Sequence, residues 1–92
     1  MSVVIIGGNE CMASQYKGIC RDYGYDAKVF SKPKTNLEYM IGNPDLIVLF
    51  THPVSHELAH VARKKAAQKG IALAQSHNGS CKALRNILSG LV

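Results

Sequence analysis

The sequence predicts an α/β fold, a three-layer sandwich in which a four-stranded parallel sheet, ordered 2-1-3-4, lies between helices on both faces. Short apolar, β-branched segments alternate with amphipathic helical segments along the whole chain, which is typical of parallel sheets. The connections between them are short, and two of the strands have the composition of buried central strands. Right-handed crossovers between such strands favour this order, which is flavodoxin-like or Rossmann-like.

The predicted strands differ in how apolar they are. The first and third are continuous hydrophobic runs, which indicates burial on both faces and therefore a central position in the sheet. The second is weaker, and Lys28 within it is typical of a sheet edge, where a charge discourages further pairing. The strands are predicted at Ser2–Ile6, Asp26–Phe30, Leu46–Phe50 and Ile71–Ala74.

Apolar residues recur at helical spacing between these strands and after the last one. The first helix stops at Gly24, and its apolar stripe is formed by Met12, Tyr16, Ile19, Cys20 and Tyr23. A 2-1-3-4 sheet places the first and last helices on one face and the middle two on the other. The later helices are predicted around Asn36–Ile41, Val54–Lys69 and Ser80–Leu91.

The composition limits the class of protein. A chain of 92 residues fits a single domain spanning residues 1–92. With 47% hydrophobic and 18% charged residues, it resembles neither a disordered chain nor a disulfide-rich secreted protein. No apolar run approaches the ~20 residues of a membrane span, and the first residues lack the layout of a signal peptide. We therefore expect a cytoplasmic protein with no membrane partner.

The charge is modestly basic. The chain has 11 Lys and Arg against 6 Asp and Glu, a net charge of +5, which suits an anionic ligand, a nucleic acid or solubility alone. Its main basic cluster, Arg63 to Lys65, lies late in the third helix, where cations complement the helix dipole. Because no aromatic residues interleave with the basic ones, nucleic-acid binding is not favoured.

The polar residues gather after the first, third and fourth strands. In parallel sheets the carboxyl ends of the strands meet at one edge, and ligands bind there where the strand order reverses. Glycines, hydroxyls, amides and imidazoles near helix N-termini suit hydrogen bonding to a small anion. The predicted ligand-binding residues are Gly7, Gly8, Asn9, Thr51, His52, Ser55, His56, His77, Asn78, Gly79 and Ser80.

For three of these residues the sequence supports a more specific prediction. Ser55 is placed to cap the N-terminus of the third helix. His56 would then occupy the first turn, where the helix dipole disfavours imidazolium and keeps the ring neutral. His52 precedes a proline and must therefore be extended.

Thiol chemistry is an alternative function. Cys11 is predicted near the start of the first helix, where a thiol is activated, so a thiol-dependent enzyme or phosphocarrier would use it as the nucleophile. Cys81 takes a similar position at the last helix, on the same face, and could form a redox couple with Cys11. Cys20 lies on the apolar stripe of the first helix and is expected in the core.

Metal or haem ligation is a second alternative. His56 and His60 have the i, i+4 spacing that can hold a metal on one helix face, and His52 lies close to them in sequence. The same spacing is typical of an ordinary solvated helix face. The sequence specifies neither a cofactor nor a reaction.

The Val54-Ser55-His56 element after the third strand carries a family resemblance. Together with the glycine pair after the first strand, the basic third helix and the polar residues at 76–80, it resembles the bacterial domain of unknown function 2325 family over nearly the whole chain. His77 and Cys11 depart from the usual family pattern. The resemblance implies a compact α/β fold and a bacterial cytoplasmic setting, and it implies no reaction.

The size of the domain predicts self-association. Four strands and about 90 residues bury only a modest core, so a partner could cover an exposed helix face or sheet edge. We therefore expect a homodimer whose surface the sequence does not identify.

Overall fold

The computed structural model describes residues 2–8, 10–30, 41–52 and 56–90. Its strands are β1 (Ser2–Ile6), β2 (Asp26–Phe30), β3 (Leu46–His52) and β4 (Ala72–Asn78). Its helices are α1 (Ala13–Asp22), preceded by a 3₁₀ turn at Glu10–Met12, α2 (His56–Lys69) and α3 (Cys81–Ser89). The helix predicted around 36–41 falls outside the described residues except for the buried Ile41.

The four strands form one parallel sheet in the order β2-β1-β3-β4, so the predicted topology is confirmed. In β1, Val3 pairs with Ala27 of β2 on one side and with Leu46 of β3 on the other. β3 pairs with β4 from Leu46 and Ala72 onwards. Because every strand runs the same way, all four carboxyl ends lie at one edge of the sheet.

Alternate residues of the central strands supply two separate cores. Val3, Ile5 and Val48 pack with α1 and α3 on one face of the sheet, whereas Val4 and Ile47 pack with α2 on the other. The strands β1 and β3 are buried on both faces, as their apolar runs predict. The structure confirms that the first and last helices share a face and that α2 lies opposite them.

The first helix ends where the sequence predicts. Gly24 adopts a φ of 81°, a left-handed conformation that glycine accepts without steric cost. Its N–H donates to the carbonyl oxygen of Arg21 at 2.9 Å, and the N–H of Tyr25 donates to that of Cys20 at 2.8 Å. These two bonds form a Schellman motif, which satisfies carbonyls left over at the helix end and turns the chain into β2.

Two strands are longer than predicted. β4 covers Ala72–Asn78 rather than Ile71–Ala74, and β3 continues past Phe50 to His52. His52 pairs with Asn78 at the end of the ladder, so residues expected in loops are strand residues. The ladder hydrogen bonds are made by backbone groups, and polar side chains therefore do not end it.

The boundaries of the later helices also differ in detail. Ser80 is the N-cap of α3 rather than its first helical residue. α2 begins at His56, and residues 53–55 lie outside the described part of the chain. None of the helices described has the length and apolarity needed to cross a bilayer.

We expect the three thiols to differ in reactivity. Burial raises the pKa of the Cys20 thiol to about 11, because desolvation disfavours the thiolate. Cys20 should therefore resist a disulfide reagent at about pH 8 until the chain unfolds. The exposed Cys11 should react first and the half-buried Cys81 more slowly. Absorbance kinetics on Cys11→Ser and Cys81→Ser variants assign each phase, and rapid modification of Cys20 in the folded chain would contradict its burial.

The raised pKa of Cys20 also predicts a pH dependence of stability. The folded chain holds the Cys20 proton up to about pH 11, whereas an exposed thiol begins to lose it near its ordinary value of 9.0. Between these values the unfolded state binds fewer protons, so the free energy of unfolding falls as pH rises. Urea unfolding at a series of pH values should show a shallower fall in Cys20→Ala than in the wild type.

Candidate functional site

The turns that follow β1 and β4 touch each other at the carboxyl edge of the sheet. A Cβ atom placed on Gly79 would lie 3.1 Å from the Cα atom of Gly8. Two backbones separated by 71 positions in sequence are therefore in direct contact. We call this contact, together with the adjacent residues Gly7 and Ser80, the Gly8–Gly79 rim.

Tyr16 of α1 closes the space beneath this rim. Its side chain is fully buried, and its hydroxyl donates a hydrogen bond to the carbonyl oxygen of Gly79. Its ring packs against Phe50 of β3, with ring centroids 5.4 Å apart and planes tilted by 41°. A buried tyrosine hydroxyl requires a partner, and here it finds a carbonyl oxygen in a turn 63 positions further along the sequence.

Position 8 requires glycine, both because of its backbone conformation and because there is no room for a side chain. Its φ is 79°, and a Cβ atom there would lie 2.8 Å from the Tyr16 hydroxyl oxygen and 3.0 Å from Cδ2 of Phe50. Gly7 also has a positive φ, and its N–H donates to the carbonyl oxygen of Phe30 at 2.9 Å. That N–H therefore extends the β1–β2 ladder instead of pointing to a ligand site. The glycine pair makes a tight turn that leaves room for Tyr16.

The start of α3 is electropositive. The Oγ atom of Ser80 accepts a hydrogen bond from the N–H of Ala83 at 3.1 Å, as in an ordinary N-cap. The first turn contains no acidic residue, and the exposed Lys82 adds a positive charge to that of the helix dipole. A polar, positively charged helix N-terminus therefore lies directly beside the Gly8–Gly79 rim.

The first turn of α2, unlike that of α3, contains an acidic residue. α2 begins at His56, which places this residue in the first turn as expected, and Glu57 follows it with a negative charge. Asn9 and Ser55, together with the side chains of His52, His56 and Asn78, lie outside the described residues. Their predicted contributions to ligand binding stay predictions.

The other predicted site residues occupy the end of the β3–β4 ladder. Thr51 is half-buried and its hydroxyl donates to the carbonyl oxygen of Ser76 at 3.5 Å, while His77 is exposed. His60 is exposed on α2. Within the described ranges, no three His, Cys, Asp or Glu side chains lie close enough together to hold a metal ion.

The thiols at the starts of α1 and α3 lie on the same face of the sheet. Cys11 is exposed in the turn that leads into α1. Cys81 is half-buried at the first position of α3, and its Sγ atom lies 3.3 Å from Oε1 of Gln15. Both positions agree with the sequence analysis, which placed these thiols at the starts of two helices.

Two cavities lie away from the Gly8–Gly79 rim. One of about 260 Å³ lies near the amino ends of β1 and β2, beside Ser2, Asp26 and Pro44. Another of about 350 Å³ lies along the outer strand β2, beside Lys17 and Phe30.

We expect Gly8→Ala to destabilise the fold more than Gly24→Ala. Both glycines have nearly the same φ, 79° and 81°, but a Cβ at Gly24 would meet nothing within 4 Å. Gly24→Ala should cost about 1 kcal/mol for its backbone conformation alone. Gly8→Ala should cost about 2–4 kcal/mol, because steric overlap with Tyr16 and Phe50 adds to it. Urea unfolding midpoints measure both, and equal losses would contradict the packing beneath the rim.

We expect Tyr16→Phe to cost about 1 kcal/mol of unfolding free energy, since it leaves the Gly79 carbonyl without its buried donor. Tyr23→Phe is the matched control. The Tyr23 hydroxyl lies 2.9 Å from Oγ of Ser89 in an exposed position, where water replaces the lost bond. Thermal unfolding of both variants compares the two hydroxyls, and a smaller loss for Tyr16→Phe than for Tyr23→Phe would contradict the buried bond.

Comparison with known proteins agrees with the family resemblance. Residues 2–91 match the family described as "Uncharacterized protein conserved in bacteria (DUF2325)". No curated protein matches the chain. Because the family match spans nearly every residue, including the strands and helices that build the rim, the chain belongs to the DUF2325 family of uncharacterized bacterial proteins.

Proposed function

We propose that this chain is a cytoplasmic binding module that holds a small anionic molecule at the Gly8–Gly79 rim. The observation that carries the proposal is the contact between Gly8 and Gly79. It brings the turn after β1 next to the N-terminus of α3. The carboxyl edge of a parallel sheet, near the reversal of strand order, is where such folds bind ligands.

The charge at the rim supports an anion. The N-terminus of a helix carries roughly half a positive charge and N–H groups that no carbonyl of the helix accepts. At α3 this charge is reinforced by the exposed Lys82 and is opposed by no acidic residue in the first turn. At α2 the first turn contains Glu57. α3 is therefore the better anion-binding helix of the two.

The packing beneath the rim limits the kind of ligand. Tyr16 and Phe50 fill the space under Gly8, so nothing inserts between the strands there. The glycines in turn let the main chain of the rim approach a ligand closely. A phosphate or carboxylate group lying across the rim would remain partly exposed to solvent, and its binding would weaken with ionic strength. We propose binding at the rim and assign no reaction to it.

Thermal unfolding with added phosphate, pyrophosphate and citrate tests the site. At about tenfold above Kd, binding adds about 1.4 kcal/mol, which raises the Tm of a domain of this size by about 5–10 °C. Chloride at matched ionic strength controls for salt effects. If none of the three anions raises the Tm beyond chloride, the proposal is wrong.

We expect Lys82→Gln to weaken binding of the effective anion by about two- to fivefold, because it removes one charge from the first turn of α3. Arg85→Gln is the matched control, since Arg85 is also exposed and lies one turn further along the same helix. Anions that stabilise proteins through exclusion from the surface act on both variants alike. Calorimetric titration gives the two affinities, and an equal loss in both variants would place the anion away from the rim.

A further inference from the structure

We infer that the chain forms a homodimer through the outer edge of β4, which pairs antiparallel with β4 of a second copy to make a continuous eight-stranded sheet. This surface is distinct from the Gly8–Gly79 rim, and it is independent of the anion proposed there. The length, charge and surroundings of β4 favour this interface.

β4 is a long edge strand of the sheet. It has seven residues and pairs with β3 on one side, and no strand in the described part of the chain pairs with its other side. Ala72, Gln75 and His77 are exposed along it. An edge strand of this length presents backbone donors and acceptors that another strand can use.

The β4 edge also lacks the residues that usually prevent such pairing. Residues 70–81 contain no Asp, Glu, Lys, Arg or Pro, in a chain of which 18% of residues are charged. Proteins normally protect an edge with a lysine, an inward charge or a proline. The uncharged edge therefore allows association of two copies that each carry a net charge of +5.

The edge strand on the opposite side of the sheet, β2, is protected against pairing with another strand. β2 carries Asp26 and Lys28, both exposed. A two-fold axis through the middle of β2 would place Lys28 opposite Lys28 of the other copy, and like charges directly opposite each other are unfavourable. The contrast between the two edges favours β4 as the interface.

Apolar side chains beside β4 are incompletely covered. Val61 and Leu73 are half-buried on the α2 face of the sheet, and Ala74 and Ile87 are half-buried on the other face. A second copy that continued the sheet would bring its own α2 and α3 alongside these residues. Burial of this surface would add a hydrophobic contribution to the backbone pairing.

The strand sequence is compatible with its own antiparallel copy. A two-fold axis at Gln75 pairs all seven residues, with Gln75 opposite Gln75, Ala74 opposite Ser76 and Leu73 opposite His77. No pair places two charges against each other. Arg63 of α2 lies beside the axis, since its Nη2 atom is 3.5 Å from Oε1 of Gln75.

This geometry gives substitutions at Gln75 opposite effects. Gln75→Lys places two lysines and two Arg63 side chains around the axis and should weaken the dimer by about fivefold or more. Gln75→Glu supplies carboxylates for the same arginines and should leave the dimer as strong or stronger. An equimolar mixture of the two variants should associate more tightly than Gln75→Lys alone.

Asp26→Asn is the matched control. It makes the net charge more positive by one, as Gln75→Lys does, but it lies on the protected edge. It should leave the dimer unchanged, and so should Lys82→Gln at the rim. Circular dichroism and the Tm confirm that each variant is folded.

Sedimentation equilibrium of the intact chain measures these affinities. A wild-type dimer that is weakened by Gln75→Lys but not by Asp26→Asn or Gln75→Glu supports the β4 interface. A wild-type chain that stays monomeric up to about 1 mM overturns the inference. A dimer that Gln75→Lys leaves intact overturns it as well, because association then uses another surface.

Discussion

The hydrogen bond from Tyr16 to the carbonyl of Gly79 is the interaction on which the carboxyl edge of this sheet depends. It joins the first helix to the turn before the last helix, and it lies under the contact between Gly8 and Gly79. The phenol needs an acceptor because it is buried, and the turn must carry glycine because the phenol occupies the space that a side chain would need. This one hydrogen bond therefore constrains which residues can stand in α1, in the turn after β1 and in the turn after β4.

This constraint shapes what the edge can bind. A doubly wound sheet commonly leaves a crevice where its strand order reverses, but here an aromatic side chain fills the floor of that crevice. The positively charged start of α3 lies beside it. An anion bound there, as we propose, would be recognised by charge and backbone geometry more than by shape.

The sequence was sufficient to predict the topology, because continuous apolar runs, short connections and crossover handedness leave few arrangements of four strands. It did not predict the polar end of β4, since a ladder of backbone bonds can continue through Ser76 and His77 regardless of their side chains. Helical spacing placed Tyr16 correctly on the buried face of α1. It carried no information about the hydroxyl, whose partner lies 63 positions away.

The separation of Tyr16 and Gly79 has a consequence for biosynthesis. A nascent chain that has completed β1, α1 and β3 already contains the phenol and the ring of Phe50, but not the carbonyl that the phenol requires. Until β4 and the turn after it leave the ribosome, that hydroxyl must stay hydrated. Because it must stay hydrated, α1 cannot pack fully against the sheet. The segment from β4 onwards therefore completes the packing of the first helix, and the domain is fully folded only after that segment has left the ribosome.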